Sequence, residues 1–473
     1  MKHDLVIIGG GVGGLVTASV AGQLGVDTVL VDAGENLGGD CLHHGCVPSK
    51  TLIRSAEVAR LIHRAEEFGL AANPGPVDLG AVMDRVHAVI GQIQQHDAPD
   101  RFRAYGVDVR FGHARFADAD TVIVNGERLQ ARRFLIATGS RPAIPPIPGL
   151  TDAGFHTNET IFGLRTLPRR LAVLGGGPIG IELAQAFARL GSQVTVVEMA
   201  GQILPRDDAE LTAELRQVLK TEGLTLHTRT TVERIEQADG VSRLACRNGT
   251  AHWTVEADTL LLAAGRTPNL DLDLEAAGVD FGPRGIRVDR RQRSSVRHIY
   301  AVGDCCGPYP FTHMAEYQAG IVIANALFRI PKKADYRVVP WVTYTAPELA
   351  TVGLTEDEAR ARNIKVEVLR FPFSAVDRAL AEGETAGQAK LIVRRGRLVG
   401  ASILGPHAGE LIHEAVLAIQ ARLRVGTLAA AIHAYPTLAQ VFRRAVNTRY
   451  TETLYSDRTR KLVALLQRWL PGR

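Results

Sequence analysis

Cys41 and Cys46 are separated by four residues and bracketed by glycines, in the order Gly38-Gly39-Asp40-Cys41-Leu42-His43-His44-Gly45-Cys46. The chain continues as Val47-Pro48-Ser49-Lys50, which reads as a helix opening at Pro48. Upstream, Gly9-Gly10-Gly11-Val12-Gly13-Gly14 has the G-x-G-x-x-G spacing of a dinucleotide loop. Two thiols so placed predict a disulfide that trades electrons with a flavin rather than one that staples a fold. A helix N-terminus stabilises negative charge, so a thiolate at Cys46 should have a lowered pKa. Cys46 is therefore expected to face the flavin, and Cys41 to be the exposed thiol that exchanges with a substrate. Lys50, one turn into the helix, is expected near the flavin ring, with Glu182 neutralising it.

Two segments must position this chemistry, and they look alike. Leu5 to Asp32 and Leu171 to Glu198 each read as apolar strand, glycine loop, helix and acidic strand end. This is a duplicated nucleotide-binding unit. In the first, Gly9 makes the tight turn, Gly11 lets backbone approach a pyrophosphate, and Gly14 lets helix pack on strand. Asp32 can then accept ribose hydroxyls. In the second, Gly175, Gly177, Ile179 and Gly180 have the same logic, and Glu198 is the acidic residue. A carboxylate there favours a free 2′-hydroxyl over a 2′-phosphate, so NADH is expected rather than NADPH.

At 473 residues the chain is too long for one hydrophobic core. Hydrophobic content of 46% and charged content of 22% are those of an ordinary globular protein. The net charge of +5 is scattered, and no basic stripe suits nucleic acid. No stretch is apolar enough to span a membrane, and Met1-Lys2-His3-Asp4 leads into a strand without a cleavage site. A cytoplasmic protein is expected, where a close cysteine pair is catalytic more often than structural. Ser55 to Arg103 is mostly helical in pattern, broken at Asn73-Pro74-Gly75-Pro76. The run Pro142 to Pro148 reads as a stiff linker. After Pro331, strands at 350–354 and 366–371, a hairpin turning at Arg395-Gly396, and helices at 407–424 and after Pro436 read as an α+β segment. The expected fold class is α/β: two Rossmann-like dinucleotide-binding domains plus a C-terminal α+β dimerisation domain. Its boundaries are 1–149 with 269–335 for FAD, 150–268 for NAD, and 336–473 for the interface. From Arg458, the residues Leu462, Val463, Leu465, Leu466, Trp469 and Leu470 share one helical face. Packing on the body or on a dimer partner is the preferred reading, with membrane-surface contact the alternative.

Six motifs occur in one order: the first glycine loop, the C-x4-C segment, Ala137-Thr138-Gly139, the second glycine loop, Ala264-Gly265-Arg266-Thr267-Pro268-Asn269, and Gly303-Asp304. In these the chain resembles the pyridine nucleotide–disulfide oxidoreductases of the dihydrolipoamide dehydrogenase, glutathione reductase and mercuric reductase type. The resemblance implies a homodimeric FAD and NAD(H) enzyme whose active site is completed by the other subunit. It implies that Asp304 holds the flavin ribityl chain and that Met314 and Ala315, within Thr312-His313-Met314-Ala315, pass the pyrimidine edge. Gly112-His113-Ala114 would touch the adenine. Gly39, Lys50, Thr138 and Gly139 would line the FAD site, and Gly265 the NAD site. Lys50 and Glu182 match the family's Lys–Glu pair.

The C-terminal segment departs from the family. Where a histidine and a glutamate would form the acid–base dyad, the chain has Tyr435 and Gln440, in His433-Ala434-Tyr435-Pro436-Thr437-Leu438-Ala439-Gln440. A tyrosine of pKa ~10 is a poor base at neutral pH. His43, His44 and His433 are available substitutes, and the first two could also bind a soft metal with Cys41. No resident metal site is expected. Cys305-Cys306 and Cys246 read as packed thiols, and no cysteine follows Cys306, unlike mercuric reductases with their C-terminal pair. The expected activity moves electrons between NADH, FAD, the Cys41–Cys46 disulfide and a small disulfide or lipoyl-carrying protein. A soft-metal-ion reductase and a slow redox sensor are the alternatives.

Overall fold

The computed structural model describes residues 2–73 and 75–469, so Pro74 of the expected turn and Leu470 of the tail lie outside the described residues. Two compact units divide the chain: Met1–Gly201 with Glu222–Tyr336, and Gln202–Thr221 with Arg337–Arg473.

Both glycine loops fall in the first unit, each on its own parallel sheet. Five strands run Ile299–Ala301, Phe134–Ile136, Leu5–Ile8, Thr28–Asp32, Val107–Phe111, all parallel. Their apolar runs are continuous rather than alternating because both faces are covered. Leu5–Ile8 is buried at every position. The second sheet orders Thr225–His227, Gln193–Val197, Arg170–Leu174, Thr259–Leu262, again parallel. In each, the ligand-binding edge is the carboxyl end of the strands, where the glycine loops lie. Ser140–Pro142 pairs with Arg266–Pro268, so the expected linker begins as part of a short antiparallel ladder.

The second unit is built on a five-stranded antiparallel sheet: Pro340–Thr343, Glu348–Gly353, Arg397–Gly405, Gln388–Arg394, Glu367–Pro372. Helices Ala408–Gln420 and Gln440–Leu454 bury Ile412, Ala415, Phe442 and Ala445 against it. The helix expected to reach Arg424 stops at Gln420 and resumes as Val425–Ala430.

The helix Ala209–Thr221 was expected with the NAD-binding half, but groups with this second unit. The reason is electrostatic. Lys390, on the central hairpin and only 4% exposed, places its ammonium 2.8 Å from Asp208, 2.9 Å from Glu210 and 2.8 Å from Glu356. Asp208 also accepts the Glu210 and Leu211 backbone N–H groups that open the helix. A buried cation among three carboxylates cannot lose its charge without stranding theirs. Lys390→Met should therefore cost ~3–5 kcal/mol of stability, read as a lowered unfolding midpoint. Arg370→Met, which removes the more exposed partner of Glu210, should cost less than ~1 kcal/mol. Equal losses in the two variants would show that burial of the lysine charge does not anchor the helix.

Candidate active site

The helix carrying the redox segment runs Cys46–His63, opening two residues earlier than expected. Proline is tolerated in a first turn, where its missing N–H has no partner to lose, so Pro48 sits inside the helix rather than at its start. Before it, Gly39–His43 forms a short helix of its own, which puts Cys41 on a turn directly preceding Cys46. All five cysteines are free thiols. Cys46 is exposed and Cys41 half-buried. Cys46 stands at the open end of its helix, whereas Cys41 lies within the compact turn ahead of it.

The charge nonetheless rests on Cys46. A hydrogen bond from the Cys41 thiol, a second from the Thr312 hydroxyl 3.5 Å away and the nearby Lys50 ammonium outweigh burial and hold Cys46 down to about 6. Cys41 is pushed far above the ordinary thiol range, first by that same hydrogen bond, then by burial and by the Cys46 charge. The pair therefore shares one proton, and Cys41 keeps it. Lys50 reaches Glu182 at 2.8 Å, a carboxylate only 6% exposed on the helix Pro178–Leu190. Glu182 thus holds the lysine beside the thiolate from the second half of the unit.

The two glycine loops share their main close contacts. A Cβ on Gly9 would lie 2.3 Å from the Ala137 carbonyl oxygen, and on Gly175 2.3 Å from that of Ala263. A Cβ on Gly14 would lie 1.9 Å from the Gly9 oxygen, and on Gly180 2.1 Å from the Gly175 oxygen. Asp32 accepts the Gly10 N–H at 2.5 Å, and Glu198 the Gly176 N–H at 2.5 Å. Gly177 has open space where a Cβ would stand, and Gly11 meets only the Gly39 backbone, 3.9 Å off. Neither following helix, Val12–Gln23 or Pro178–Leu190, has a side-chain cap. Ile179 lies half-buried in the first turn of the second.

The remaining expected residues gather around the first loop. Gly112 donates to the Asp32 carbonyl at 2.7 Å, and Ala114 begins the next strand. Thr138 and Gly139 are tied to Asn269 through three hydrogen bonds. The residue after Gly265, Arg266, links Ser140 to Asp40. Ser140 in turn donates to the half-buried Asp304 carboxylate at 2.7 Å, whose pKa desolvation pushes up. Met314 and Ala315 open the helix Thr312–Val322, with Ala315 packed toward Gly13 and Gly303. Residues not anticipated from sequence join them. Asn158 donates to Asp40 and to the His44 carbonyl, pinning the redox segment. Arg229 stands near Gly201, just past Glu198, brought there by the fold from another strand end. His43 is occupied by the Leu37 carbonyl rather than by a sulfur. Among the described residues, no group of three or more His, Cys, Asp or Glu is arranged to hold a metal ion. Cys305, Cys306 and Cys246 are buried.

In the second unit the Tyr435 hydroxyl donates to Asp377 at 3.0 Å, and that carboxylate raises the phenol further above its ordinary value. The Gln440 amide donates to the backbone carbonyls of His433 and Ala434. His433 instead finds a glutamate: its Nε2 lies 3.1 Å from Glu414, whose carboxyl burial pushes up. Tyr435, Gln440 and His433 line a cavity of about 450 Å³ with Phe371, Arg443 and Arg444.

A family described as pyridine nucleotide-disulphide oxidoreductase matches residues 3–319, and its dimerisation domain matches residues 339–446. The chain belongs to this family, whose members are oxidoreductases that use FAD and NAD(P)H and form homodimers through the second domain. A mercuric reductase of Lysinibacillus sphaericus is 37% identical over 94% of this chain and 82% of its own length. A dihydrolipoyl dehydrogenase of Geobacillus stearothermophilus is also 37% identical, over 94% of this chain and 96% of its own length. The solved structure of the HOCl-induced flavoprotein disulfide reductase RclA from Escherichia coli superposes with a TM-score of 0.85 at 28% identity, covering 94% of this chain and 99% of that one. A Cu(II) complex of that protein superposes at 0.84.

The residues present fit both cofactors. The first loop offers uncapped helix N–H groups, open backbone at Gly11 and an acidic strand end, and the half-buried Asp304 carboxylate is an acceptor for polyol hydroxyls. The second offers the same cradle at Gly177 with Glu198.

In the two-electron-reduced holoenzyme, the long-wavelength thiolate–flavin absorbance should grow in as pH rises, with a midpoint near the value of about 6 held by Cys46. It should be absent in Cys46→Ser. Thr312→Val and Lys50→Met should each move the midpoint upward. A midpoint in the ordinary thiol range would place the charge elsewhere. The ratio of kcat/KM for NADH to that for NADPH should fall roughly tenfold or more in Glu198→Ala, and Arg229→Ala should weaken residual use of NADPH.

Proposed function

We propose that the protein is an NADH-driven reductase that opens its Cys41–Cys46 disulfide and passes the electrons through Cys41 to a soft metal ion, mercuric or cupric. The observation that carries this reading is the chemistry at Tyr435 and Gln440. In the homodimer this segment would serve the partner's cysteine pair, as the family resemblance implies. A phenol held protonated by Asp377 cannot take a proton from an incoming dithiol, and an amide cannot stabilise a protonated base.

FAD, when bound, supplies the chemistry that links hydride donation by a dihydronicotinamide to opening of a disulfide. The chain's own groups do the rest. On opening, Cys46 keeps the negative charge, supported by Thr312 and Lys50, while Cys41 keeps the proton. A thiol bound to a soft cation is deprotonated by the cation itself, so Cys41 can engage a metal without a side-chain base. The proton leaves Cys41 as the cation binds, and closing the disulfide then releases two electrons. One mercuric ion takes both electrons, or two cupric ions take one each.

A lipoyl-type disulfide is the second reading, favoured by the His433–Glu414 pair standing two residues from Tyr435. On that reading His433, held by Glu414, takes the role of base that Tyr435 cannot fill.

Turnover with NADH should be sustained by thiol-complexed mercuric or cupric ion and slow with lipoamide or dihydrolipoamide. Tyr435→His combined with Gln440→Glu should raise dihydrolipoamide turnover by on the order of tenfold to a hundredfold and leave metal turnover unchanged. Fast dihydrolipoamide oxidation by the unaltered enzyme, lost in His433→Gln, would favour the second reading. A single reduction with no turnover on any acceptor would mark a sensor and end both.

A further inference from the structure

The chain continues past its folded body as the helix Asp457–Trp469, and none of that helix's residues is buried. Leu462, Leu465, Leu466 and Trp469 recur at the spacing of one helical face, flanked by Val463. Their exposures run from 44% at Leu466 to 76% at Trp469. The apolar band continues back through Leu454 and Tyr455, 56% and 64% exposed. An isolated helix of thirteen residues is marginal in water, so this one needs a surface to lie on.

Charge says which surface. Arg458, Arg460, Lys461 and Arg468 stand against the single carboxylate of Asp457 in this segment. A helix with an apolar stripe, several cations and a terminal tryptophan has the composition of one that lies in the headgroup layer of an anionic bilayer. A second copy of the chain is the rival occupant. The family's dimerisation domain ends at residue 446 and the helix begins at Asp457, beyond that stretch. The described residues include no helix long and apolar enough to cross a membrane, so the contact would be peripheral. We infer that the helix Asp457–Trp469 docks the enzyme reversibly on anionic lipid.

Full-length holoenzyme should co-sediment with vesicles of phosphatidylcholine mixed with phosphatidylglycerol, and not with phosphatidylcholine alone. Salt should release it. Arg460→Glu with Lys461→Glu, and separately Leu465→Asp with Leu466→Asp, should each cut the bound fraction about tenfold. Because the helix buries nothing, both variants should keep their flavin, NADH oxidation and dimer mass. Equal binding to neutral and anionic vesicles, binding to neither, or binding untouched by both variants would overturn the inference. So would dissociation of the leucine variant into monomers, which would assign the face to a second copy.

Discussion

A thiolate must stay charged at position 46 near neutral pH, at the open end of a helix where a planar cofactor can reach it. That requirement draws together four groups from three separated stretches of the first unit. Cys41 supplies a proton from the preceding turn, Thr312 a hydroxyl from a distant helix, Lys50 a cation from one turn along, and Glu182 the counter-charge from the second nucleotide half. Lys50 without Glu182 would be a flexible, hydrated cation whose position nothing enforces. The 2.8 Å contact with a nearly buried carboxylate turns it into a fixed one. The two halves are therefore coupled through the chemistry as well as through packing.

The duplicated cradle follows from a steric rule applied twice. A phosphate can rest on a helix N-terminus only if strand, turn and helix close up without side chains between them. Gly9 and Gly175 touch the neighbouring strand's carbonyl, and Gly14 and Gly180 touch the turn itself. Asp32 and Glu198 then close each turn by accepting the N–H of the second glycine. Each carboxylate also accepts the N–H two residues on, Asp32 from Gly34 and Glu198 from Ala200. The redox segment is stitched to this framework by Asn158 and Arg266, which both bind Asp40.

What was legible in the sequence is what depends on local backbone geometry. The glycine loops, the acidic strand ends, the C-x4-C segment and the hairpin around Arg395-Gly396 are each defined by neighbours in the chain. Partners brought by topology were not legible. Asn158 has no motif around it, Arg229 reaches Gly201 only because two parallel strands end side by side, and Glu414 lies nineteen residues from His433. Arg266 did carry a signal, since it sits in one of the six motifs, but its bond to Asp40 needed the fold. The helix opening at Cys46 instead of Pro48 was hidden by reading proline as a boundary when it is equally at home inside a first turn. Helix Ala209–Thr221 lies within the 150–268 stretch read as NAD-binding, while its contacts around the buried Lys390 group it with the second unit, a link that sequence order does not show.

The changes at Tyr435 and Gln440 are best understood together with Asp377 and Glu414. A tyrosine alone at that position would remain a weak acid, able to give a proton to a departing thiolate. Asp377 makes it weaker still, because ionising the phenol would set two negative charges in contact. Gln440, in turn, is tied to the backbone of its own turn and offers nothing to the ring. Tyr435 and Gln440 thus hold a hydrogen-bonding hydroxyl in place, and the one imidazole of the turn, His433, is held by Glu414 instead. On the proposed metal-ion reading this costs nothing, because a cation that binds sulfur displaces the thiol proton by its own charge, and the group that must then be tuned is the thiolate behind it.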